Sequence, residues 1–205
     1  MQLVKYTSFI FLVISSSCTK QPEYHYLENF DNNDNGWAEE KTVMHTTKFI
    51  DGKLMLQSLD TVGRLSSNGP ADGSIFGTLG KDWKFETSIE SFDGNKESGF
   101  GFKLYSQGAI ECIFRIARSG LVQVYQNDYN LNQPYSFETK NISEFGFNTP
   151  ILLSLEVHDE DFVFHINGQQ VCKNKFSATS WRELRLFTES GGTGIKADYY
   201  KVSKL

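Results

Sequence analysis

In Phe100–Tyr125 and again in Ile151–Ile166 apolar residues recur at every second position, and within each block the runs are broken by short stretches of turn chemistry. Phe100, Phe102 and Leu104 alternate with Gly101, Lys103 and Tyr105; Cys112, Phe114 and Ile116 flank Ile113 and Arg115; Val122 and Val124 flank Gln123. Leu153, Leu155 and Val157, then Phe162, Phe164 and Ile166, repeat the pattern. A period of two is what a pleated strand with one buried face requires. From about Tyr26 to Leu205 nothing keeps a helical period for three turns. The chain therefore reads as all-β, roughly a dozen strands in two packed antiparallel sheets.

The turns set the register. Arg118-Ser119-Gly120 suits a three-residue hairpin loop with glycine in the left-handed position, placing Phe114 opposite Val124 and Arg115 opposite Gln123. A three-residue loop at Gln107-Gly108-Ala109 places Phe102 opposite Phe114 and Tyr105 opposite Glu111; a two-residue loop would mix the faces. Asn167-Gly168 and Asp51-Gly52 carry two-residue hairpin signals. The polar turn His158–Asp161 pairs Leu155 with Phe164.

This alternation sorts the side chains into two faces. Phe102, Phe114 and Val124 turn inward. Lys103, Tyr105, Glu111, Ile113, Arg115, Gln123 and Tyr125 share the opposite face, with Gly101 expected to leave room beside the Arg115 guanidinium. Tyrosine rings can stack on the C–H side of a sugar, and Lys, Arg, Glu and Gln supply the donors and acceptors that hydroxyl groups need. Lys103, Tyr105, Glu111, Arg115, Gln123 and Tyr125 are therefore the candidate ligand contacts. The competing reading is an ordinary wet sheet face with cross-strand charge pairs.

The N-terminus has a different logic. Lys5 precedes the apolar run Phe9–Ile14, which is too short to span a bilayer; Ser15, Ser16 and Ser17 then lead into Cys18. This resembles a bacterial lipoprotein signal peptide. The resemblance implies cleavage before Cys18, lipid on its sulfur, and, with Thr19 following, an outer-membrane destination. Residues 1–18 are assigned to the signal, 19–26 to a tether, and 27–205 to the folded domain. The membrane is expected to be touched only through the lipid.

Along that domain, ENFDNNDNGW, DGKLML, SGFGFKLY, FRIARSGLVQVY and the Phe164–Gly168 hairpin resemble the concanavalin A-like lectin/glucanase jelly roll, in the branch of laminin-G-like and 3-keto-disaccharide hydrolase-like domains. That resemblance implies a two-sheet jelly-roll sandwich and a polysaccharide or oligosaccharide ligand. The glucanase members carry E-x-D-x-x-E, which is absent here. Glu86 and Glu90 share a strand face but stand roughly 13 Å apart along it, against about 5–9.5 Å for paired glycosidase carboxylates. The expected function is non-catalytic glycan binding. The alternatives are a glycan-cleaving enzyme drawing on Glu86, Glu90 and Glu111, or a laminin-G-like protein-binding module.

Other chemistries are excluded or weakly signalled. Lys plus Arg number 20 against 25 Asp plus Glu, a net charge of −5, which lacks the basic footprint of a nucleic-acid binder. No G-x-S-x-G occurs, and His25, His45, His158 and His165 lack zinc-motif spacing. Cys112 reads as a core thiol, and a disulfide with Cys172 is open. Asp31-Asn32-Asn33-Asp34-Asn35-Gly36 matches the first half of a calcium loop, but Thr42 stands where the pattern ends in Glu. The resemblance to the jelly roll, whose first and last strands meet, implies as one reading a structural calcium between Asp31 and Asp198; an Asn/Gly-rich turn without metal is the other. No cofactor is required.

Overall fold

The computed structural model describes residues 24–60, 66–70, 75–76, 79–131, 133–178 and 180–205. Residues 1–23, including Cys18, lie outside the described residues. Two antiparallel sheets stack face to face. One is built in the order β13 (Gln169–Lys175), β12 (Asp161–Ile166), β11 (Ile151–His158), β6 (Asp82–Asp93), β15 (Gly194–Lys204), β4 (Lys53–Ser58), β3 (His45–Ile50) and β2 (Glu40–Lys41), with β1 (Tyr24–Glu28) also on β15. The other runs β10 (Gln133–Asn141), β9 (Leu121–Asp128), β8 (Ile110–Ala117), β7 (Gly99–Ser106), β14 (Trp181–Thr188) and β5 (Ser66–Asn68). There is no α-helix among the described residues. The folded domain begins earlier than residue 27: Tyr24 already pairs with Ser203, so the last part of the expected tether is strand.

The hairpins adopt the registers that their turns require. Phe102 faces Phe114, Tyr105 faces Glu111, Phe114 faces Val124, Arg115 faces Gln123 and Leu155 faces Phe164. Asn167 and Gly168 both take positive φ (52° and 76°), as do Asp51 and Gly52, so both are type I′ turns. In the loop 107–109 it is Ala109, not Gly108, that occupies the left-handed position, at φ 61°.

One aromatic cluster joins the sheets. Phe102 stacks on its cross-strand neighbour Phe114 at 4.5 Å, and both meet Phe164 of the opposite sheet edge-on at 5.6 and 5.2 Å. Phe85 closes on Phe102 at 4.9 Å. All four are fully buried. Such pairs add about 0.5–1.5 kcal/mol each beyond the area they remove from water, so the side chains that fix the register also glue the layers.

Gly101 has a different purpose from the one its neighbour suggested. Its φ is 147°, and a Cβ there would stand 2.1 Å from the Phe114 carbonyl oxygen. Gly101 is required by the backbone of β8, not by the Arg115 side chain. The residue that clears space for Arg115 is Gly99, whose Cβ would fall 2.5 Å from the guanidinium Nε.

Candidate functional site

The outward positions of β7, β8, β9 and β14 form one surface. The pairing of β14 with β7 sets Arg185 opposite Lys103 and Glu183 opposite Tyr105, adding two charged residues to the six expected contacts. The middle of this surface is dry. Lys103 and Glu111 are 4% and 3% exposed, and the ammonium donates to Glu111 Oε1 at 2.8 Å. Glu111 Oε2 accepts from the Tyr129 hydroxyl at 2.7 Å and from Asn127 at 3.2 Å. Burial acts to raise the Glu111 pKa, but Lys103, Tyr129 and Asn127 outweigh it and hold the carboxyl below its ordinary value. Burial, then the Glu111 carboxylate, pushes the Tyr105 phenol up. Burial and the hydrogen bond to Glu111 push Tyr129 up to about 12. Lys103 and Glu111 are thus supports beneath the surface, a correction to their expected place among the ligand contacts.

Arg115 is clamped. Its Nε and Nη2 meet both oxygens of Glu189 at 2.7 and 2.8 Å, Nη1 donates to Gln123 Oε1 at 3.1 Å, and Nη2 also donates to the Glu97 carbonyl at 2.6 Å. Glu189 accepts in addition from the Gly99 amide at 2.6 Å. A bidentate pair of this kind is both strong and directional. It ties β8 to the end of β14 and to the turn before β7.

Beside this clamp opens a cleft of about 440 Å³, lined by Arg115, Gln123, Tyr125, Pro134, Ser136, Thr139 and Glu189. Three of the six expected contacts, Arg115, Gln123 and Tyr125, line it. Tyr105 does not; its ring lies under the Arg185 guanidinium at 5.6 Å from the centroid. Burial and the Glu189 and Glu111 carboxylates raise the Tyr125 phenol, so it stays a neutral hydroxyl. Pro134, Ser136, Thr139 and Glu189 were not foreseen. Ser136 and Thr139 join because β10 pairs with β9, setting Ser136 opposite Tyr125 and Thr139 opposite Gln123.

The carboxylates proposed for a cleaving enzyme are not brought together. Glu86 sits on the other sheet, held by Lys84 at 3.3 Å and by Lys201; Glu90 pairs with Lys53 at 3.1 Å. Both face away from the six-stranded sheet that carries Glu111. Cys112 and Cys172 are buried free thiols, so the open disulfide is not formed. Asp31 and Asp198 are both exposed near the β3–β4 hairpin. Asp31 Oδ1 lies 3.0 Å from where a Cβ on Gly52 would be, and Asp198 follows Ala197, which pairs with Leu54. The loop around Asp31 is held by protein groups: Asn33 donates to the Trp37 carbonyl at 2.8 Å, and buried Glu28 accepts from the Phe30 amide at 2.9 Å and from Asn35 at 2.6 Å. Among the described residues no three His, Cys, Asp or Glu side chains group as a metal site.

This fold is the concanavalin A-like jelly roll. The solved structures that share it include the carbohydrate-binding module CBM66 from Bacillus subtilis, at TM-score 0.61 and 14% identity over 83% of this chain and 96% of that one. The endo-β-1,3(4)-glucanase SCLam, as its E144S mutant with a bound oligosaccharide, matches at 0.64 and 9% over 91% and 96%. The carbohydrate recognition domain of Emp46p, in its potassium-bound form, matches at 0.61 and 10% over 89% and 98%. No family model and no curated protein matches the sequence.

Proposed function

We propose that this domain binds a saccharide, without chemistry of its own, in the cleft over Tyr125 and Gln123. The observation that carries the reading is the composition of that cleft: one half-buried tyrosine face, a proline, an amide and two hydroxyl side chains beside a closed ion pair. An amphipathic ring flanked by neutral donors and acceptors matches the two surfaces of a sugar. The carbohydrate-directed proteins that share the fold make saccharides the ligand class to test first.

The non-catalytic part rests on the carboxylates. Glu189 is the one carboxylate among the described residues lining the cleft, and both its oxygens are taken. Glu111 is held ionised by three donors, which disqualifies it as a general acid. Glu86 and Glu90 point outward from the opposite layer of a sandwich whose sheets alone are about 10 Å apart, outside the geometry of paired glycosidase acids.

The test is a glycan array followed by calorimetry on the mature protein. Tyr125→Ala and Gln123→Ala are each expected to weaken binding at least about tenfold, about 1.4 kcal/mol. Binding unmoved by both, or no saccharide bound at all, overturns the reading. The lipid-anchored, outer-membrane location belongs to the same proposal and rests on Lys5, the run Phe9–Ile14 and Ser15–Cys18. Wild-type protein made in a bacterial host is expected to enter the detergent phase and to carry diacylglycerol mass on Cys18; Cys18→Ser is expected to lose both. A wild-type mature chain without lipid refutes the location.

A further inference from the structure

Three outward cations of the six-stranded sheet, Lys103, Arg115 and Arg185, each meet a carboxylate. Lys103 sits on Glu111 at 2.8 Å with both side chains 5% exposed. Arg115 meets Glu189 at 2.7 and 2.8 Å and spends further N–H groups on Gln123 and the Glu97 carbonyl. Arg185 Nε meets Glu183 at 2.6 Å while its guanidinium covers the Tyr105 ring. A ligand carboxylate or sulfate arriving at the cleft meets Arg115 with all three guanidinium nitrogens already engaged, and has to displace Glu189 to pair with it. That exchange trades one ion pair for another and leaves the displaced acid exposed to its like-charged replacement, so it gains nothing. The whole chain adds a net charge of −5, which repels polyanions at longer range.

What the cleft does offer is neutral. The Tyr125, Ser136 and Thr139 side chains make no hydrogen bond to another described residue, and Gln123 spends its carbonyl oxygen on Arg115 while its amide nitrogen remains a donor. We infer that the ligand is a neutral saccharide, bearing no carboxylate, sulfate or phosphate. The inference rests on the saccharide reading above and narrows its substrate class.

Two features separate this inference from that reading in one experiment. Wild-type protein is tested on an array and by calorimetry against neutral hexasaccharides of glucose, mannose and xylose and against hexagalacturonate, at about 50 and 500 mM NaCl, where screening lengths differ about threefold. Neutral hexasaccharides alone are expected to bind, with affinity changing less than about twofold between the two salts. Glu189→Gln uncovers the Arg115 guanidinium in the cleft and is expected to gain binding to hexagalacturonate at low salt that disappears at high salt. Wild-type capture of hexagalacturonate with a steep salt dependence overturns the neutral class while leaving the saccharide site intact. A folded Glu189→Gln variant that gains no acidic binding overturns the charge-matching argument. Failure of every saccharide removes the underlying reading together with this one.

Discussion

Lys103→Met is the most informative single change in the protein. It removes the ammonium and keeps the length and apolar stem of the side chain. Glu111 is left 3% exposed, with the Tyr129 hydroxyl at 2.7 Å and Asn127 at 3.2 Å still donating to it. Breaking a buried pair from one side costs about 3–5 kcal/mol, and the two surviving hydrogen bonds put this site at the low end. A loss of about 3 kcal/mol at roughly 2–4 °C per kcal/mol for a domain of this size lowers Tm by about 6–12 °C. Glu111→Leu strands an ammonium that lies over the Phe187 ring at 5.3 Å from its centroid, and it is expected to cost about 4–5 kcal/mol. The double variant removes both charges and is expected to fall within about 1 kcal/mol of wild type. Urea titration of all four proteins closes the cycle. A single variant within about 0.5 kcal/mol of wild type, or a double variant as unstable as the two singles summed, refutes the pair as a buried, coupled unit.

The same pair sets a pH signature. A carboxyl held below its ordinary value contributes stability that is complete above the unfolded-state pKa, about 4.3 for Glu, and is lost as pH falls through the depressed folded value. Wild type is expected to lose more stability than the double variant over that acid range; parallel curves from pH 6 downward contradict the assignment. Gly101→Ala places a methyl 2.1 Å from a carbonyl oxygen at φ 147° and is expected to cost about 3 kcal/mol or more, read as a fall in Tm; an unchanged Tm refutes the close approach. Cys112 and Cys172 are buried thiols, with Cys172 pushed up to about 12 by burial and then by Glu138, so neither should react with a thiol reagent at pH 8 until denaturant is added. Chelation is expected to leave Tm unchanged, because Glu28, Asn33 and Asn35 hold the Asp31 loop through protein hydrogen bonds; a calcium-dependent rise of several degrees would show that a cation holds it instead.

The β7–β8–β9 meander was legible because two local signals agree there. Alternation assigns faces, and a loop length that keeps both strands in phase leaves one register for each hairpin. Phe102, Phe114 and Val124 follow from that alone. What alternation does not carry is depth. It places Lys103, Glu111 and Gln123 on one face with equal weight, yet Lys103 and Glu111 are sealed and Gln123 is not. The difference comes from Tyr129 and Asn127 leaning over Glu111, and from β14 lying beside β7. The second of these is a pairing of strands about eighty residues apart. Glu189, 74 residues from Arg115, was invisible for the same reason; its one local hint is an acid placed just before Gly191-Gly192. Glu86 and Glu90 show the complementary limit, since an alternating strand declares that it has two faces but not which sheet it joins.

The ladder between β1 and β15 sets Tyr24 directly across from Ser203. Partners in an antiparallel ladder have Cα atoms only about 4.5–5.5 Å apart, so the first described strand starts beside the point where the last one finishes. A few residues linking Leu205 to Tyr24 would close the described sandwich into a ring. New ends opened at the exposed Asn167-Gly168 turn would then give a circular permutant with every hydrogen-bonded neighbour unchanged. The architecture has no privileged starting point, and the order in which the strands are made is a property of the gene rather than of the sandwich.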